Sequence, residues 1–219
     1  FKLSLPNCKK INQIIIKPYN NGQYFKMFVQ YEEVRNVKPL LNKNKHLGID
    51  LGINNLATCF NSTSGHAFIM NGKPLKSYNR CYNKTVAKLK SELETKNKKQ
   101  WSNQLQNITE NRYNYIDNYF NQVVSKITKY CVSQDIGSLI IGYNQSWKNE
   151  SNKGKKYNQR FNCIPHNLLK QKLENKCNEF GITFTQVEES YTSQSSFVDS
   201  DVLPKYKPNI SASESSVMA

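Results

Sequence analysis

Apolar and non-apolar positions alternate without a break between residues 47 and 54: Leu47, Ile49, Leu51 and Ile53 fall on one side of an extended chain, and Gly48, Asp50, Gly52 and Asn54 on the other. A side-chain period of two predicts a strand with one buried face and one open face. Ser62, Thr63, Ser64 and Gly65 then supply turn chemistry, and residues 67–70 read as the returning strand of a hairpin. An earlier hairpin is predicted at the start of the chain. Residues 11–18 are isoleucine-rich, Asn20, Asn21 and Gly22 form a turn signal, and residues 24–31 alternate around Phe28 and Val29. Residues 33–44, with Pro39 and mixed charge, read as a linker between the two β units.

Further along, the period lengthens to that of a helix. Residues 84–96 predict a heavily charged helix, followed by an irregular basic stretch, and then Ile116, Phe120, Val123, Ile127 and Cys131 form an apolar stripe at helical spacing. This second helix is expected to stop near Gly137. Leu139, Ile140 and Ile141 are a short apolar run of the kind a buried parallel strand shows. Pro165 is placed like a first-turn proline, Leu169, Leu173 and Cys177 mark a helix ending at Gly181, and residues 182–187 read as the next strand. His166 is expected to cap or decorate that helix. The order hairpin, linker, ββ, α, β, α, β describes a mixed α/β domain with a β appendage.

Composition narrows the partners. The 219 residues carry 31 Lys+Arg against 16 Asp+Glu, a formal charge of +15, which suits a protein that neutralises phosphates. No run approaches the roughly 18 apolar residues of a spanning helix and no secretory pattern opens the chain, so a cytoplasmic protein is expected, with no membrane partner. Cys8, Cys59, Cys81, Cys131, Cys163 and Cys177 are scattered with no C-x-x-C pair, as reduced thiols are, and no zinc site is expected. Residues 211–219 are small and polar and are expected to stay unfolded.

Asp50 is the main candidate for metal binding. A carboxylate in mid-strand, flanked on its own face by two glycines, can hold a hard cation where a phosphodiester backbone approaches closely. The same pattern also fits an aspartate that bonds local backbone at a strand end, and pattern alone leaves both readings open. Metal-assisted phosphodiester cleavage draws carboxylates from distant strands, so a second acid is sought. Glu188 and Glu189 follow the last predicted strand, and Glu189 has the parity of Thr183 and Thr185; the other reading is a solvated acidic pair. Residues 143–160 are long and basic for a connection. There, Lys148, Lys153, Lys155, Lys156 and Arg160 are candidate phosphate contacts, or a solvated basic loop. Arg112, with Tyr113, Tyr115 and Tyr119, is a candidate for stacking on exposed bases, with helix packing as the alternative.

The run Gly48-Ile49-Asp50-Leu51-Gly52-Ile53-Asn54-Asn55-Leu56-Ala57-Thr58 resembles the first RuvC motif of the TnpB/OrfB insertion-sequence family, a relative of type V CRISPR effectors. Leu139-Ile140-Ile141-Gly142-Tyr143-Asn144 resembles the strand that carries the family's second acidic motif. Tyr191-Thr192-Ser193-Gln194 resembles the stretch before its zinc knuckle, and the resemblance as a whole runs over residues 3–209. It implies a RuvC/RNase H-like fold, guide-RNA binding and Mg2+-dependent cleavage of DNA. The departures matter as much. Gly142 stands where the family pattern has a catalytic glutamate, and Glu189 is the candidate replacement. Ser196 and Asp199 stand where the zinc knuckle would begin, which again implies no zinc. Nothing like the family's C-terminal asparagine-alanine-aspartate motif follows Asn209, and Asp199 and Asp201 are poor substitutes for its aspartate. The family's N-terminal helical segment is also missing and the first residue is Phe1, so both ends read as cut.

The expected fold class is therefore α/β: a RuvC/RNase H-like mixed sheet with flanking helices, preceded by a small β-rich, barrel-like segment. Residues 1–44 are expected to form that segment, part of a wedge-like nucleic-acid-binding domain, with its linker. Residues 45–209 are expected to form an incomplete RuvC-like nuclease domain and residues 210–219 a disordered tail. The expected function is transposon-associated RNA-guided DNA binding, with guide RNA and target DNA as partners and no small-molecule substrate. Mg2+ is the expected cofactor, held by Asp50 and Glu189, and the missing third acid implies impaired cutting. The alternative is a non-catalytic RNA/DNA-binding remnant, or a repressor-like protein, that occupies target DNA without cutting it.

Overall fold

The isoleucine-rich opening forms β1 (Cys8–Tyr19), which pairs antiparallel with β2 (Tyr24–Glu33) over a turn in which Gly22 takes a φ of +81°. That left-handed backbone is open to glycine without steric cost. In this computed structural model the described residues are 5, 8–19, 22, 24–33, 39–97, 101–143 and 164–188. The hairpin is a two-stranded sheet of its own, with Ile14, Ile16 and Phe25 exposed. The Tyr24 hydroxyl donates to the Glu110 carboxylate, and this bond raises the Tyr24 pKa to about 12.

The second sheet has the order β5-β4-β3-β6-β7. Its central strand is β3 (Asn42–Leu51), which reaches back into the stretch that reads as linker. β4 (Asn55–Asn61) and β5 (Ala67–Asn71) complete an antiparallel meander, while β6 (Ile136–Tyr143) and β7 (Thr183–Glu188) add parallel strands on the other side of β3. Asn61 is buried at the β4–β5 turn, where its side-chain oxygen accepts from the amides of Thr63 and Ser64 at 3.0 and 3.3 Å. The sheet is the mixed one that the RuvC-like reading expects.

Among the described residues, three helices follow from the periodic stretches. α1 (Lys73–Asn97) begins well before residue 84, and α2 (Asn103–Ser133) includes most of the stretch read as irregular. The reason is local: apart from Leu75, which enters the core, these turns meet each other through aromatic and polar side chains, so they show no aliphatic stripe. Tyr78 stacks on Tyr115 with ring centroids 4.1 Å apart, and the Tyr82 and Thr109 hydroxyls meet at 3.2 Å. Ser102 caps α2 by accepting from the Leu105 amide at 3.2 Å. α3 (His166–Phe180) ends at Gly181, where φ is +72° and the Ile182 amide donates back to the Cys177 carbonyl at 2.9 Å, a left-handed stop.

One face of the five-stranded sheet carries the core. Leu47, Ile49 and Leu51 of β3 and Leu139 and Ile141 of β6 pack with Phe120, Val123 and Ile127 of α2 and with Leu169, Leu173 and Cys177 of α3. Each fully buried Leu, Ile or Phe stabilises the fold by about 1.5–3 kcal/mol relative to exposure. At the amino end of β3 the Lys43 ammonium donates to the Gly137 carbonyl at 3.3 Å, the Gly181 carbonyl at 2.5 Å and the Thr183 hydroxyl at 3.0 Å. This fixes the starts of β6 and β7 against β3 and so sets the register at the opposite end.

Candidate functional site

That opposite end gathers the residues of interest. Asp50 stands exposed near the carboxyl end of β3, on the face away from the core. Gly48 pairs with Phe60 on β4 and with Ile140 on β6, and Asp50 pairs with Thr58. β6 runs parallel with Ile49 opposite Ile141, so Gly142 follows at the level of Asp50 on the adjacent strand. On β7, Thr185 pairs with Ile140 and Val187 with Gly142, so both share the Asp50 face. A Cβ built on Gly48 would meet nothing nearer than the Phe60 carbonyl oxygen, at 3.8 Å. Gly48 and Gly142 thus leave open positions next to Asp50, while Thr58, Phe60 and Val187 carry side chains on the same face. Glu188 closes β7 opposite Tyr143. Glu189 lies outside the described residues.

The turn that follows Asp50 is held from two sides. The Gly52 amide donates to the Leu56 carbonyl at 3.3 Å, and a Cβ on Gly52 would lie 2.7 Å from the Asn55 carbonyl oxygen, so the turn closes too tightly for any side chain there. Gly72, just before α1, donates to the Asn54 carbonyl at 2.7 Å, and a Cβ on it would sit 2.2 Å from the Ile53 oxygen. The Lys76 ammonium donates to the Asn54 side-chain oxygen at 2.7 Å. From the other side, His166, the first residue of α3, donates from Nε2 to the Gly52 carbonyl at 3.0 Å. The His166 imidazole is buried, and burial holds its pKa below the usual value; the bond to Gly52 opposes that lowering and Lys170 adds to it. The N-termini of α1 and α3 thus bracket the turn two residues beyond Asp50. Sequence reasoning gave His166 only a local role at its own helix, because a contact to Gly52 across the fold leaves no trace in spacing.

Arg112 faces inward rather than toward solvent alone. Its Nε donates to the side-chain oxygen of buried Asn79 at 2.6 Å, and its guanidinium lies over the rings of Tyr82 and Tyr113 at 5.0 and 5.6 Å. Tyr115 and Tyr119 are partly buried, with Tyr119 donating to the Asn71 carbonyl. Lys148, Lys153, Lys155, Lys156 and Arg160 lie outside the described residues. Cys59, Cys131 and Cys177 are buried free thiols, pushed up to about 12 by desolvation; Cys8 and Cys81 are also free, and Cys163 lies outside the described residues.

The donor set at Asp50 suits a hard cation. An exposed carboxylate between two glycines of its own face can supply one or two oxygens while the ion keeps several waters, the arrangement Mg2+ favours. Among the described residues no three His, Cys, Asp or Glu side chains cluster.

The sequence profile of OrfB_IS605, whose description is "probable transposase", matches residues 28–148, more than half of the chain. Solved structures share the fold, among them two of Cas12f complexes. A cryo-EM structure of a Cas12f1–sgRNA–target DNA complex has a TM-score of 0.52 at 16% identity, covering 83% of this chain and 43% of that one. A cryo-EM structure of a CRISPR–Cas12f ternary complex has a TM-score of 0.53 at 13% identity, covering 77% of this chain and 33% of that one. The chain therefore spans less than half the length of either. No curated protein matches it. With a RuvC-like mixed sheet, the glycine-flanked Asp50 motif inside the matched region and more than half of its length fitting the profile, the chain belongs to the TnpB/OrfB family of insertion-sequence transposases.

Proposed function

We propose that this chain is a transposon-associated RNA-guided DNA-binding protein whose RuvC-like site holds Mg2+ through Asp50 and Glu189. The observation that carries the reading is the exposed Asp50 carboxylate at the carboxyl end of β3, on a face lined by Gly48 and level with Gly142, in a chain of this family. Ligands of open α/β sheets bind outside the carboxyl ends of the strands. Glu189 is assigned as the second acid, supported by the register of β7, whose Thr185 and Val187 share the face of Asp50. The charge of +15 supports polyanionic partners, and the related Cas12f structures hold sgRNA and target DNA. We assign the same two partners here, and the cytoplasm as the compartment. Among the described residues no helix is long and apolar enough to cross a membrane.

Each residue has a defined task in this reading. Mg2+, when bound, supplies charge stabilisation to the oxygens of the scissile phosphate. Asp50 and Glu189 hold it, Gly48 leaves room for the sugar-phosphate backbone, and His166 keeps the turn after Asp50 in place. Lys148, Lys153, Lys155, Lys156 and Arg160 neutralise phosphates. With Asp50 and Glu189 as the two acids assigned to the site, these 219 residues by themselves are proposed to bind their partners and to cut slowly. The test is guided plasmid cleavage in Mg2+ by this chain, by Asp50→Ala and by a form extended with a family-type C-terminal segment. Cutting is expected only in the extended form, with loss on Asp50→Ala while binding persists. Cutting that survives Asp50→Ala overturns the site.

A further inference from the structure

α1 packs through one side only. Leu75 and Asn79 are buried, Tyr78 stacks on Tyr115, and Tyr82 meets Thr109. On the opposite side Lys73, Lys76, Arg80, Lys84 and Lys88 succeed one another at intervals of three or four residues. At about 3.6 residues per turn these five cations form one stripe of roughly 22 Å along the helix axis. No acid occurs between Lys73 and Ser91, and the first that follows, Glu92, approaches only Lys88, at 4.0 Å. Lys73, Arg80 and Lys84 are exposed and form no ion pair among the described residues. Like charges at i,i+3 and i,i+4 destabilise a helix, and this stripe contains four such pairs in succession. A polyanion laid along it would relieve them all.

We infer that this stripe docks the phosphate backbone of double-stranded DNA beside the strand engaged at Asp50, an inference that rests on the function proposed above. The stripe begins beside the turn that follows Asp50, since Lys76 donates to Asn54 in that turn at 2.7 Å. A duplex fits better than a single strand because single strands are held by base stacking on exposed aromatic rings. The stripe has none: Tyr78 and Tyr82 are on the packed side. DNA rather than RNA follows from continuity with Asp50, where the strand to be cut is DNA.

The test is fluorescence anisotropy over a range of salt, with a short DNA duplex, a single strand of the same length and an RNA hairpin as probes. The stripe variant carries Lys73→Gln, Arg80→Gln, Lys84→Gln and Lys88→Gln, leaving Lys76 to hold Asn54. The control variant removes exposed charges elsewhere, with Lys126→Gln and Lys129→Gln, and is matched in number by Lys84→Gln with Lys88→Gln. For the DNA duplex, the slope of log Kd against log salt should fall by about 3–4 in the stripe variant and by less than about 1 in the control, at roughly 0.9 for each phosphate that is no longer neutralised. Thermal melts should show the stripe variant no less stable than wild type. If it does not fold, Lys84→Gln with Lys88→Gln serves in its place, with an expected fall of about 2. Equal slopes in stripe and control variants, with wild type still binding, overturn the docking surface and leave the proposed function standing. A weakening confined to the RNA hairpin or to the single strand overturns the choice of duplex DNA. Wild type that binds no probe in a salt-dependent way overturns the proposed function.

Discussion

His166 Nε2 donates to the carbonyl oxygen of Gly52 at 3.0 Å, joining the first turn of α3 to the turn that closes β3 just beyond Asp50. Removing the donor leaves the part-buried Gly52 carbonyl without that partner. His166→Ala is expected to destabilise the fold by about 1–3 kcal/mol in denaturant unfolding. His166→Gln, which can present an amide N–H in its place, should recover part of that loss. Equal losses in both variants would mean that the bond itself contributes nothing.

The same residue sets a pH dependence. Burial lowers the folded-state pKa of His166, so the neutral imidazole is favoured in the native protein. The associated stability is present above the unfolded value of about 6.5 and is lost as pH falls from there through the lowered folded pKa. Unfolding curves at neutral and mildly acidic pH should therefore differ more for wild type than for His166→Gln. An identical pH response in the two would show that His166 does not titrate in this way.

Two glycines near the site should tolerate a methyl group very differently. A Cβ at Gly72 would stand 2.2 Å from the Ile53 oxygen, so Gly72→Ala should destabilise by about 1–3 kcal/mol or more through overpacking. At Gly48 the nearest atom is 3.8 Å away, and Gly48→Ala should be neutral or stabilising by about 0.5–1 kcal/mol, the usual gain on leaving glycine in a strand. Thermal melts of the two variants check the contrast.

Arg112 should act on stability more than on binding. Arg112→Ala removes the 2.6 Å bond to buried Asn79 and is expected to lose about 1–3 kcal/mol. The salt slope for nucleic acid should change by less than about 1. A slope that falls by about 1 or more with unchanged stability would instead make Arg112 a phosphate ligand.

The sheet was legible in the sequence because burial there is one-sided. Leu47, Ile49 and Leu51 are buried while Asp50 is exposed, the alternation that a period of two announces. The lower half of α2 was legible too, since Ile116, Phe120, Val123, Ile127 and Cys131 all meet the core. The start of α1 and the upper half of α2 were not. Their contacts are Tyr78 with Tyr115 and Arg112 with Asn79, aromatic and polar pairs that leave no aliphatic stripe. Asp50 stood out through its flanking glycines, whereas the role of His166 depends on a fold-level meeting with Gly52 that no local pattern encodes.

The central claim is that Asp50 and Glu189 share one cation, and calorimetric titration with Mg2+ tests it most directly. Wild type, Asp50→Asn, Glu189→Gln and the double variant are to be compared, with thermal melts as a check on folding. Each single variant is predicted to weaken Mg2+ binding by at least about tenfold, the loss that even an outer-shell substitution produces. The double variant should lose much less than the sum of the two, because either substitution already breaks the shared site. A Glu189→Gln variant that binds Mg2+ as tightly as wild type, while Asp50→Asn does not, would contradict the shared site.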